Sequence, residues 1–219
     1  MIDLLAVTAH PDDLEVCAGG LFLKAKKEGK KTGLIIFTRG ESGGYAEQST
    51  REHEAAEGAR LLGLDYFKHL NFNDAGVYFG EETVNTLVPL LRECSPKILL
   101  TLHKDDYHPD HVAVSRTVDA ATFVAGLRKH SKDNTDWKPK ELMYFSADYR
   151  TNKSKPDILI NIEDVIEERN KCCDAHTSQG VTPHAIKAAE YLGRLARCKY
   201  AEGLYLRNPL TLNSASGLF

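Results

Sequence analysis

Leu4-Leu5-Ala6-Val7-Thr8-Ala9-His10-Pro11-Asp12-Asp13 joins a short, mostly apolar run directly to an imidazole and two carboxylates. Apolar side chains without polar alternation are what a strand buried on both faces requires, and such strands belong to parallel sheets covered by helices. Gly33-Leu34-Ile35-Ile36-Phe37-Thr38 repeats the pattern, and Tyr66 to Leu70, Ile98 to Leu102, Leu142 to Ala147 and Ile158 to Ile162 read as further strands. Between them lie helical patterns. One runs from Gly20 to Glu28 and is stopped by Gly29; a second, Thr50 to Leu62, is opened by the capping-box pair Ser49 and Glu52 and stopped by Gly63. Val84, Leu87, Val88 and Leu91 have the spacing of an amphipathic helix, in which Pro89 predicts a kink or an early break. Val112 to Arg128 and Asp164 to His176 are further helices, and Thr182 as N-cap with Pro183 at the first helical position opens a last one towards Arg197.

Strands alternating with helices predict an α/β, Rossmann-like fold: a mainly parallel sheet with helices on both faces, forming a single domain over residues 1–219. In such sheets ligands bind beyond the carboxyl ends of the strands. A hydrophobic content of 42% supplies the core. The formal net charge of −3 provides no basic field for nucleic acid or an anionic membrane, so an anionic substrate must be held by local Arg or Lys. No apolar run approaches the roughly 20 residues of a membrane span, and the first residues lack the basic start of a secretory signal, so the expected location is cytoplasmic. The five cysteines form no C-x-x-C pair, which argues against both a disulfide framework and a cysteine zinc site.

Two clusters fall where the fold expects a ligand. The first, His10-Pro11-Asp12-Asp13, ends the first strand; the second, His108-Pro109-Asp110-His111, follows the strand Ile98 to Leu102 through Lys104-Asp105-Asp106-Tyr107. Taken alone, Asp12 or Asp13 would more often cap a helix and His108 would more often be a solvated loop residue. Two carboxylate-histidine clusters on one sheet edge reverse that balance. Pro109 pushes His108 out of helical geometry, while Asp110 is placed to cap the next helix and His111 falls in its first turn, so the two imidazoles serve different roles. With His10 and Asp13, one of them completes a two-histidine, one-carboxylate set suited to a zinc ion that keeps one position open for water.

These two clusters resemble those of the LmbE-like (PIG-L) zinc deacetylase family. Thr38-Arg39-Gly40-Glu41, Thr50-Arg51-Glu52-His53-Glu54-Ala55, His176-Thr177-Ser178-Gln179 and Tyr200-Ala201-Glu202-Gly203 extend the likeness along nearly the whole chain. Within the family it most resembles the bacillithiol-pathway deacetylases that act on N-acetylglucosaminyl malate. The resemblance implies zinc held by His10, Asp13 and His111, Asp12 as general base, and His108 as stabiliser of the charged intermediate, oriented by Asp110. It places Arg51 and Asp74 on sugar hydroxyls, with Glu41 and Arg39 as weaker substrate contacts. Tyr107 stands where family members often carry Arg. Iron(II) is the alternative metal, because this ligand set accepts either. The expected partner is a small N-acetylated sugar, with no nucleic acid and no membrane, and the chain is expected to form a homo-oligomer. The competing readings are a zinc amidohydrolase acting on another small acetamide and a nucleotide-binding α/β module. The second lacks support, because no G-x-G-x-x-G or Walker-type loop occurs.

Overall fold

The apolar runs form the centre of the molecule because their side chains are buried on both sides. In the computed structural model, which describes residues 1–44, 47–130, 136–148 and 154–209, strands β1 (Leu4–Thr8) and β2 (Thr32–Thr38) are buried along their whole length. The last ten residues of the expected 1–219 domain lie outside the described residues. β3 (Tyr66–Phe72), β4 (Ile98–Leu102), β5 (Glu141–Phe145), β6 (Ile158–Asn161) and β7 (Ala201–Leu206) complete a seven-stranded sheet of order β3-β2-β1-β4-β5-β7-β6. β1 to β5 pair in parallel, whereas β7 runs antiparallel to both β5 and β6.

The strand order reverses between β1 and β4. Helices α1 (Asp13–Lys27) and α2 (Gln48–Leu62) carry the chain outward to β2 and β3; α3 (Glu81–Cys94) returns it to β4, and α4 (Pro109–Ala125) carries it the other way to β5. Right-handed crossovers therefore put α1 and α2 on one face, and α3 and α4, packed on each other, on the opposite face. α5 (Ile166–Asp174) and α6 (Thr182–Ala196) extend the α1–α2 layer. The reversal opens a crevice at the carboxyl ends of β1 and β4, where both histidine clusters emerge.

Several local expectations are corrected. α1 begins at Asp13, not Gly20, and is broken by non-helical Ala18. α2 has no capping box: Glu47 is its N-cap without a side-chain bond, and Glu52 pairs with Gln48 at 2.7 Å. α3 runs through Pro89, because burial of Val84, Leu87, Val88 and Leu91 outweighs the lost backbone bond, which costs about 3 kcal/mol. Thr182 is the first residue of α6; its hydroxyl donates to Asp174 at 2.6 Å, and Val181 takes the cap position. β7 escaped the sequence reading because Glu202 and Gly203 interrupt its apolar pattern.

Gly193 shows how tightly α6 meets the chain entering β7. A Cβ there would lie 2.4 Å from the Lys199 carbonyl oxygen and 2.8 Å from that of Cys198. Gly to Ala inside a helix ordinarily gains up to about 1 kcal/mol. Here Gly193→Ala is expected to lose about 1–3 kcal/mol by overpacking, read from urea unfolding midpoints. A variant more stable than the parent would show that the turn yields.

Candidate active site and metal centre

The turn after β1 is built by its own carboxylate. Asp13 Oδ2 accepts the backbone N–H groups of Ala9 at 3.1 Å and His10 at 2.8 Å, folding the chain back on itself at the start of α1. The fold-back forces Asp12 to a left-handed φ of 101°, strained for a residue with a Cβ and costing about 1–3 kcal/mol. Arg51, 2% exposed on α2, braces the turn: its Nη2 donates to the Pro11 carbonyl at 2.9 Å and meets Asp12 Oδ2 at 3.4 Å, and its Nε donates to the Gly40 carbonyl at 3.2 Å.

After β4, His108 is the N-cap of α4, and its Nδ1 accepts the Asp110 N–H at 3.3 Å. Asp110 therefore does not cap the helix, and its carboxylate does not orient His108. Its oxygens take the N–H groups of Ala75 at 2.8 Å and Val77 at 3.1 Å, and Oδ2 faces His10 Nε2 at 3.2 Å. Asp74 Oδ1 faces the same nitrogen at 3.0 Å. On the other imidazole, His111 Nδ1 faces Asp106 Oδ2 at 3.2 Å.

These carboxylates decide the tautomers. With the N–H of each imidazole on the side of these acids, the lone pairs of His10 Nδ1 and His111 Nε2 aim at each other across 3.1 Å. The Asp13 carboxylate joins them, 3.3 Å from His111 Nε2 and 3.8 Å from His10 Nδ1. In those tautomers three acceptors face one another, an arrangement that a divalent cation fits. Outer carboxylates that hold ligand N–H groups are the usual support of such ions. His10, His108 and His111 also bring one nitrogen each within 4.8 Å. Asp13 stands beside them as a carboxylate fixed by two backbone N–H groups. Asp74 and Asp110 also gather around His10, but on its N–H side.

The electrostatics follow the same geometry. Burial alone would lower His10, but its bonds to Asp110 and Asp74 raise it to about 10. Burial likewise opposes His111, which Asp13 and Asp106 raise to about 9. Burial would raise Asp13, yet His111 and His10 hold it well below the usual carboxylate range. Asp12 differs from its neighbour: burial pushes it up to about 6 against the opposing Arg51 charge. His108 is lowered by burial and by the charges of His10 and His111, against the opposing Asp110 charge.

An open cavity of about 530 Å³ rises from this floor of His10, Asp12, Asp13, His108 and His111. Arg51 and Asp74 also line it, while Asp110 is buried behind His10. Arg39 and Glu41 do not line it. They pair at 2.7 Å; Arg39 also bonds Asn71 and Asn73, and Glu41 accepts the Asp74 N–H at 3.2 Å, so together they hold the Asp74 loop. Lys104 is exposed and away from the lining. Sequence reasoning missed Asp106, which nothing local separates from exposed Asp105. It also missed His184, Asp148 and Gln179, which line the cavity. Replacing Asp106 with Asn is expected to weaken divalent-metal binding ~10-fold or more, whereas Asp105→Asn should leave it unchanged. Equal affinities in a chelator competition would remove Asp106 from the site.

Residues 5–122 match the family model PIG-L: GlcNAc-PI de-N-acetylase. The chain is 25% identical over 222 residues to the diacetylchitobiose deacetylase of Thermococcus kodakarensis, covering 92% of this chain and 81% of that protein. It is 23% identical over 189 residues to the probable N-acetyl-alpha-D-glucosaminyl L-malate deacetylase 2 of Bacillus cereus, covering 80% and 83%. The conserved protein TT1542 from Thermus thermophilus has the same fold, with a TM-score of 0.89, 33% identity and 97% of each chain covered. With more than half its length in the family model, this chain belongs to the PIG-L de-N-acetylase family and is a hydrolase of the deacetylase class, a family that acts on N-acetylated sugars.

Proposed function

We propose that the chain is a zinc-dependent hydrolase that removes the acetyl group from an N-acetylglucosaminide, with N-acetylglucosaminyl malate as the leading substrate. The observation that carries this reading is the convergence of acceptors from His10, Asp13 and His111 beside Asp12, at the floor of a cavity open to solvent. When bound, zinc supplies Lewis-acid polarisation of the acetamide carbonyl and lowers the pKa of water to about 7. Iron(II) is the alternative occupant.

Asp12 takes the proton of the attacking water as its oxygen bonds to the acetyl carbon. His108 Nε2–H donates to the carbonyl oxygen as negative charge develops there. Asp12 then passes its proton to the sugar nitrogen as the carbon–nitrogen bond breaks, leaving acetate and a free amine. Arg51 keeps Asp12 facing the reacting carbon. Its donors to Pro11, Gly40 and Asp12 support this bracing role over the sugar-hydroxyl contact that the resemblance implies. Asp110 and Asp106 hold the two imidazoles, and Asp74 combines a bond to His10 with a place on the cavity wall.

For the aglycone, the support is the likeness to the Bacillus cereus deacetylase. Arg51 is the one Arg or Lys among the described lining residues, so Arg39 and Lys104 offer no clamp for a dicarboxylate. No helix among the described residues is long and apolar enough to cross a membrane. A homo-oligomer in the cytoplasm completes the proposal.

His111→Ala should lose metal and activity together, measured by elemental analysis after dialysis; full zinc occupancy would remove it from the ligand set. Asp12→Asn should keep the metal and lose ~10²–10⁴-fold in kcat. Turnover at the parent rate would end its role as base. By its likeness to the Bacillus cereus deacetylase, N-acetylglucosaminyl malate should exceed its methyl-glycoside analogue in kcat/KM. Equal efficiencies would leave a general N-acetylglucosaminide deacetylase.

A further inference from the structure

Helix α1 is two segments. Ala18 leaves helical geometry at φ −147°, ψ 15°, separating a single turn, Asp13 to Cys17, from the longer piece that ends at Lys27. Such a break leaves carbonyls at the end of the first piece and N–H groups at the start of the second without helical partners. Charged side chains from distant elements meet both. Glu202 of β7 accepts the Gly20 and Leu21 N–H groups, one on each carboxylate oxygen, both at 2.8 Å. Arg169 of α5 donates from Nη2 to the Val16 carbonyl at 2.7 Å and to the Ala185 carbonyl of α6 at 3.1 Å. The two side chains approach to 3.7 Å and are almost wholly buried.

Gly20 lets the carboxylate in. A Cβ there would lie 3.0 Å from Glu202 Oε1 and 2.7 Å from Ile162 Cγ2. Gly19-Gly20 and Tyr200-Ala201-Glu202-Gly203, which have no part in the chemistry above, therefore meet in one contact. A continuous helix would satisfy its own backbone and would need neither charge. The break matters because the detached turn carries Asp13, immediately after left-handed Asp12, and its direction sets where the Asp13 carboxylate meets His10 and His111.

We propose that Arg169 and Glu202 are positioning residues of the deacetylase, a buried staple that holds broken α1 so that Asp13 is presented to the metal. This rests on the metal reading above. The test is Zn²⁺ affinity by competition with a chromophoric chelator, for the parent, Glu202→Gln and Arg169→Lys, with hydrogen exchange across residues 13–21 of the metal-free proteins. Leu87→Ala, a core truncation in α3, is the comparator for lost stability alone. In Glu202→Gln an NH₂ replaces one acceptor, so zinc affinity is expected to fall ~10-fold or more, with faster exchange over residues 13–21. Leu87→Ala should bind zinc as the parent does. Should Glu202→Gln not fold, Arg169→Lys gives the same reading, since a single ammonium cannot span the Val16 and Ala185 carbonyls as the guanidinium does. Parent affinity in a folded staple variant would make the pair merely structural and overturn the inference. A parent that binds no zinc would overturn the metal reading and this inference together, an outcome distinct from failure of the staple alone.

Discussion

Two imidazole lone pairs and a carboxylate facing one another across the crevice between β1 and β4 make the constraint on which the rest of the edge depends. Acceptors converge this way only where a cation, or a proton in its stead, lies among them. The raised His10 and His111 and the depressed Asp13 express the same demand, since the surrounding acids draw positive charge into the site. Each other residue of the edge follows from keeping those acceptors aimed inward. Asp74 and Asp110 hold the outer nitrogen of His10, and Asp106 faces that of His111 at 3.2 Å. Asp13 is held by the backbone of the turn it closes.

That turn is an uncomfortable structure, and the protein stabilises it with buried charge. Arg51 grips the peptide before strained Asp12, while Arg169 and Glu202 satisfy the backbone that broken α1 leaves open. Buried ion pairs are poor sources of stability, because desolvation offsets most of their attraction. Their use here trades stability for a defined direction of two adjacent carboxylates. Asp12 and Asp13 differ by one position, yet one is pushed up by burial and the other held down by imidazoles. Opposite environments for neighbouring acids suit the base and ligand roles proposed for them.

The parallel strands were legible in the sequence because burial on both faces leaves an uninterrupted apolar run, as in Leu4 to Ala9 and Gly33 to Thr38. The fold class followed from their alternation with helices, and the position of the site from two histidine clusters placed after strands. Covalent neighbourhood also tied His10 to Asp13 and His108 to His111. These properties are local: a strand's periodicity and a turn's composition can be read within about ten residues.

What the tertiary structure decided depends on partners brought from far along the chain. Asp106 and Asp105 are equivalent in sequence, and only the packing of α4 against the sheet turns one to His111 and leaves the other in solvent. Arg39, Glu41 and Lys104 follow strands on the correct edge, yet the first two bond each other and the last points away, because an edge position does not set side-chain direction. The resemblance placed Asp110 behind His108, whereas its carboxylate faces His10 at 3.2 Å. Gly20 was read as a helix start, which it is for the second segment of α1, but the carboxylate that makes it so belongs to Glu202 on β7. Local pattern was enough to bring the two histidine clusters to one sheet edge. Only the folded chain decided which atom of each would face which partner, because hydrogen-bond direction is fixed by distances and angles between elements that no local pattern encodes.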